Sequence, residues 1–138
     1  MGKIVACIMI LAMVLSVFSV PSLAEAAPRA SELIASYSVI FTRSGRNLVA
    51  TSRITATDIV DQIGISRFEI QEKRNGYWEP IRWTEDKYDY NAISHTYSLS
   101  YTGRDGYQYQ AVAYFYVKDG SQSDTAEKTS TQQTIPET

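Results

Sequence analysis

Four carboxylates crowd one stretch of the chain: Glu79, Glu85, Asp86 and Asp89. On one loop they would offer the hard oxygen ligands that calcium takes, about six to eight of them. Two carboxyls facing each other across a cleft would instead serve glycoside hydrolysis. Lys87 interrupts the group, Arg82 stands beside it, and no Asp-x-Asp-x-Asp-Gly loop is present. The pattern therefore fits a solvated loop, with calcium at 85–89 left open. His95 is the only histidine, and the only cysteine, Cys7, lies near the start of the chain. One imidazole without such partners cannot complete a structural zinc site. No serine sits in a Gly-x-Ser-x-Gly elbow, and one histidine gives a Ser-His-Asp triad little support. The expectation is no catalytic residue, no metal site and no cofactor, so the chain reads as a non-enzyme.

The aromatic residues carry more information. Ten tyrosines and two tryptophans exceed what a small core can bury. Tyr97, Tyr109, Phe115 and Trp78 are expected in the core. Trp83, Tyr88 and Tyr90 lie on or beside a candidate edge strand, and Tyr114 and Tyr116 share one face of a central strand. Exposed rings with polar tips suit glycan rings, peptides or protein partners. These five residues form the possible binding surface, for an unknown protein or glycan.

The elements that would position them follow a period of two, not 3.6. Seven strands are expected, at about 35–43, 48–57, 65–73, 77–84, 94–101, 107–117 and 123–129. Leu48, Ala50, Ile54 and Ala56 share one face of the second, against Thr51, Arg53 and Thr55 on the other, as in a strand with one wet face. Asn75-Gly76 between two strand patterns signals a tight hairpin. Pro80 marks the fourth strand as an edge or a bulge. Segments 58–64 and 85–93 read as loops, the first pinned by Ile59 and Ile63, and the strand at 107–117 reads as the most central. Seven short strands with turns between them predict an all-β, antiparallel β-sandwich over 34–129. An entry segment at 27–33 precedes it, and 130–138 reads as a disordered polar tail.

The start of the chain has the form of a leader. Lys3 is followed by an almost wholly apolar run at 4–20, then Pro21 and the small-x-small triplet Ala24-Glu25-Ala26. That is a secretory signal peptide at 1–26, cleaved after Ala26, with Ala24 or Ala27 as alternatives. The rival reading is an uncleaved anchor, since the run approaches the roughly 18 residues a bilayer needs. Cys7 sits too early for a lipoprotein signal. The formal net charge is −2 with no basic block, which gives no footprint for nucleic acid. The expected product is secreted, extracellular, free of thiols and free of the membrane.

Two resemblances add to this. The hairpin Phe68-Glu69-Ile70-Gln71 to Asn75-Gly76-Tyr77-Trp78 and Ile81, with the later run Gly106-Tyr107-Gln108-Tyr109-Gln110-Ala111-Val112-Ala113, resembles the fibronectin type III and immunoglobulin-like sandwiches. By that resemblance Tyr109, or else Tyr107, holds a tyrosine corner. The chain departs from fibronectin type III in lacking the early proline-rich strand and its tryptophan. It also resembles an uncharacterised family of small secreted proteins of Gram-positive bacteria. The shared features are Pro28-Arg29-Ala30-Ser31, Thr55-Ala56-Thr57, Asp61-Gln62-Ile63-Gly64, Trp78 and the strand from Tyr109 to Tyr116. That resemblance implies export and fold, and no catalytic residues. The expected function is a secreted, non-enzymatic binding module. The alternative is a self-associating structural protein of the envelope or extracellular matrix.

Overall fold

The computed structural model describes residues 31–138. The expected leader at 1–26, its cleavage site and Cys7 lie outside the described residues. The described chain is all-β and forms one antiparallel, curled sheet of six strands: β1 (Ile34–Ser44), β2 (Asn47–Arg74), β3 (Tyr77–Thr102), β4 (Gln108–Asp119), β5 (Gln122–Thr129) and β6 (Gln133–Thr134).

Strand β2 runs through the middle. Its first part, 47–56, pairs with β1 on one side and with the far arm of β3, 94–102, on the other. Its second part, 60–74, pairs with the near arm of β3, 77–92, and with β4. β5 then pairs along β4, and β6 pairs with the start of β4. The two expected loops are strand, which merges the seven expected strands into five, and the short β6 in the expected tail makes six. Segment 58–64 continues β2, and 85–93 continues β3.

The physical reason lies in bulges, which break the alternation that a sequence reading relies on. Asp86 and Asn91 both have positive φ, 53° and 52°. Ser66 is an extra residue of β2 against β4. The buried positions of β2 accordingly change parity, from Ile63 and Ile65 to Phe68 and Ile70. Of the two expected pins, Ile63 is buried and Ile59 is exposed. Pro80 does sit beside a bulge at Ile81, on a strand that among the described residues pairs only with β2. The Asn75-Gly76 hairpin is a two-residue turn with φ of 51° and 82°, the pair of positive values that this sequence favours.

One core occupies the inner face. Leu48, Ala50, Ile54, Ile63, Ile65, Phe68 and Ile70 of β2 meet Tyr109, Ala111, Ala113, Phe115 and Val117 of β4. The sheet curls so that β1 lies against β4, with the Tyr37 ring 5.6 Å from Phe115. Asp124 of β5 secures the start of the described chain. Its Oδ2 accepts from Ser31 Oγ at 2.6 Å and from Leu33 N at 3.1 Å.

The segment 130–138 is not the disordered tail its composition suggested. Ser130 N donates to Ala111 O at 2.8 Å, Ile135 N to Tyr107 O at 3.0 Å, and Ile135 is buried in the core. These backbone bonds, the pairing of β6 with β4 and the buried Ile135 side chain together dock this segment.

Candidate binding face

Register decides which side chains share a face, because residues directly opposite in an antiparallel pair point the same way. Across the near arm of β3, β2 and β4, successive rows of the outer face can be read off the pairing. Trp83 lies opposite Glu69, which lies opposite Val112. Next come Glu85, Arg67 and Tyr114; then Tyr88, Gly64 and Tyr116; then Tyr90, Gln62 and Lys118. The five aromatic residues singled out from the sequence, Trp83, Tyr88, Tyr90, Tyr114 and Tyr116, therefore share one face of the sheet. The bulges at Ser66 and Asp86 make this possible, because they turn both strands in step and keep the rows aligned with β4.

Exposure separates the five. Trp83 is 52% exposed and Tyr90 65%, so their rings are available to a partner. Tyr88, Tyr114 and Tyr116 are half-buried. Tyr88 and Tyr116 meet edge to face, with ring centroids 5.9 Å apart, over the row that Gly64 occupies. A Cβ on Gly64 would stand 2.0 Å from the Lys87 carbonyl oxygen. Only glycine lets the strands close here, and the two tyrosines cover the backbone that it leaves bare. Burial pushes the Tyr88 phenol up to about 12, with the Asp86 carboxylate adding to it.

A polar network lies between the rings. Arg67 Nε donates to Glu69 Oε2 at 2.6 Å, and Arg67 Nη1 to Glu85 Oε1 at 2.6 Å. Gln71 Nε2 donates to Glu69 Oε1 at 2.5 Å, and Gln110 Nε2 to Gln71 Oε1 at 2.6 Å. The Arg67 guanidinium also lies 5.3 Å from the centre of the Trp83 ring. Burial and the Glu69 carboxylate together push the Tyr114 phenol up. Glu69 is almost fully buried although it points away from the core. The face thus combines two open rings with fixed carboxylate, amide and guanidinium groups.

Sequence reasoning missed several members. Trp78, expected in the core, lies opposite Lys73 on this outer face and is only half-buried, with Lys73 Nζ 5.7 Å from its ring. The bonded network of Arg67, Glu69, Gln71, Glu85 and Gln110 was not legible in the sequence, since Glu85 and Gln110 join it from other strands.

The acidic residues are dispersed. Glu85 pairs with Arg67, Glu79 lies 3.4 Å from Arg74, Asp86 Oδ1 accepts from the Tyr88 hydroxyl, and Asp89 Oδ2 lies 3.0 Å from His95 Nδ1. Among the described residues no three His, Cys, Asp or Glu side chains gather as a metal site. His95 is buried, stacks on Tyr97 and leaves its Nε2 without a partner in the described structure. Elsewhere an open groove of about 610 Å³ is lined by Leu48, Val49, Ile81, Arg82, Tyr101 and neighbours. None of the five aromatics lines it.

No protein-family model matches the sequence, and no curated protein does. Among solved structures, the fold is similar to a protein from Archaeoglobus fulgidus, at 12% identity and a TM-score of 0.41, over 73% of this chain and 96% of that one. It is also similar to Spo0M, a sporulation control protein of Bacillus subtilis, at 10% identity and a TM-score of 0.38, over 68% of this chain and 48% of that one.

Proposed function

We propose that this chain is a secreted, non-enzymatic binding module of the immunoglobulin or fibronectin type III-like sandwich class. It takes a glycan or a protein partner on the outer face of β3, β2 and β4. The observation that carries the reading is the alignment of Trp83, Tyr88, Tyr90, Tyr114 and Tyr116 in adjacent rows of one face. Open rings supply stacking area at low entropic cost, since each has two rotatable bonds. The bonded set of Arg67, Glu69, Gln71 and Gln110 supplies donors and acceptors already held in place, so a ligand pays little ordering entropy.

The leader-like pattern at 1–26 supports export. The wound sheet, whose β1 packs back against β4, supports the sandwich class. The proposal extends to kinship with the small secreted Gram-positive proteins that the chain resembles. Nucleic acid is the wrong partner for a chain of net charge −2 without a basic block.

An array of glycans and of cell-surface proteins, probed with the protein and with a Trp83→Ala/Tyr90→Ala variant, tests the reading. The expected outcome is one or more ligands whose signal the double variant loses. Ligands bound equally by both forms would place the function elsewhere.

A further inference from the structure

The sheet edges differ in their protection. Unpaired N–H and C=O groups along an edge are a template for another strand, and charges, prolines and bulges blunt them. The near arm of β3 carries all three: Pro80, a bulge at Ile81, and Glu79, Arg82, Glu85, Asp86, Lys87 and Asp89. β5 carries Asp124, Glu127 and Lys128. The edge of β1 is covered beside its start, where Asp124 takes Leu33 N, and along it, where Gln133 Nε2 donates to Phe41 O.

The far arm of β3, 94–102, has none of these devices. It contains no Asp, Glu, Lys, Arg, Pro or Gly, and among the described residues it pairs on one side only, with β2. His95, Tyr97, Leu99 and Tyr101 alternate with Ser94, Thr96, Ser98, Ser100 and Thr102. The direction of its backbone groups is fixed by the neighbouring bond from Gly103 N to Arg46 O, 2.7 Å. That bond puts the odd-numbered residues of this arm in the pairs that bond to β2, and Ser52 Oγ donating to Tyr97 O agrees. Backbone groups alternate sides along an antiparallel strand. The N–H and C=O of Ser94, Thr96, Ser98, Ser100 and Thr102 therefore point outward, to no strand among the described residues.

We infer that a second copy of this chain pairs along this edge, antiparallel, about a two-fold axis at Ser98. The edge is self-complementary in that register. Ser94 meets the partner's Thr102, Thr96 meets the partner's Ser100, and Tyr97 meets the partner's Leu99. Hydroxyl thus faces hydroxyl, ring faces aliphatic chain, and no like charges oppose each other. Five outward-pointing residues from each copy make about ten backbone bonds. Moving the axis to Tyr97 or Leu99 leaves Thr102 or Ser94 unpaired. A closed two-fold pairing of this kind uses up the edge and stops at a dimer. The inference is independent of the aromatic face, which lies on the other part of the sheet.

Cysteine scanning in the full chain with Cys7→Ala tests it. In the proposed register the two copies of residue 98 stand about 5.5 Å apart between Cα atoms, within disulfide reach. Ser98→Cys should give a covalent dimer on mild oxidation. Thr96→Cys alone should not, whereas Thr96→Cys mixed with Ser100→Cys should. Ser98→Lys, which sets like charges on the axis, should weaken dimerisation at least about tenfold while keeping the melting temperature of the parent at dilutions where both are monomers. Light scattering that finds only monomer up to about 1 mM overturns the inference. So does a Ser98→Cys cross-link no faster than that of Thr96→Cys, or dimerisation unchanged by Ser98→Lys.

Discussion

The Glu72 carboxylate is fully buried and takes four hydrogen bonds. Arg74 Nε and Tyr109 Oη donate to it at 2.6 Å each, Arg104 Nη2 donates at 2.5 Å, and Arg104 Nε reaches it at 3.4 Å. Burial alone would raise its pKa. The bonds from Arg104, Tyr109 and Arg74 outweigh that and bring it down to about 2, against an ordinary 4.5. A depressed carboxylate stabilises the fold fully above 4.5, and that contribution is lost as the pH falls through about 2. Glu72→Gln should therefore cost about 1–3 kcal/mol at neutral pH, because both arginines can still turn to water. In urea titrations the gap between this variant and the parent should narrow steadily below pH 4.5. A gap constant with pH would count against the assignment. Tyr109 also accepts from Arg104 N at 2.9 Å, so Tyr109→Phe removes two bonds and should cost about 1–2 kcal/mol in the same titration. Tyr109 was legible as a buried, corner-like tyrosine. Glu72 was not, because its partner Arg104 comes from a distant turn and no local pattern marks such a pair.

At the scale of elements, the strands came through better than their ends. Alternation located seven stretches that do pair, and Asn75-Gly76 located its turn, but the pairing of 60–64, 85–92 and 133–134 did not show. The bent continuity of β2 and β3 did not show. Charges that face water on an edge strand look like a loop, and a bulge removes the period-two signal where it is needed. Gly64 is the hinge of this region. Gly64→Ala should force β2 and β3 apart and cost about 1–3 kcal/mol or more by denaturant unfolding, since the added carbon would stand 2.0 Å from a backbone oxygen. An unchanged unfolding midpoint would show that the strands part there easily.

The whole molecule divides its work between two parts of one sheet. The part around β1, the start of β2 and the far arm of β3 shows mainly serine and threonine outward, with Ile40, Val49 and Arg53 among them. The part around the near arm of β3, β2 and β4 shows rings and bonded charges. The end of the chain closes the core between them, with Ile135 against Gly103 and Tyr109. Ile135→Ala should cost about 2–4 kcal/mol, read as a lower melting temperature, as for other buried isoleucines. A disordered tail would show no change. That the aromatics share a face followed from register, which a single sequence does not reveal; that they were too many for the core was plain from their number. The most direct measurement is an NMR titration of the protein with a ligand found on the array. Shifts gathered on Trp83, Tyr88, Tyr90, Arg67, Tyr114 and Tyr116 are predicted. Shifts gathered on Thr51, Ser98 and Ser100, with the aromatic rows unmoved, would contradict the account.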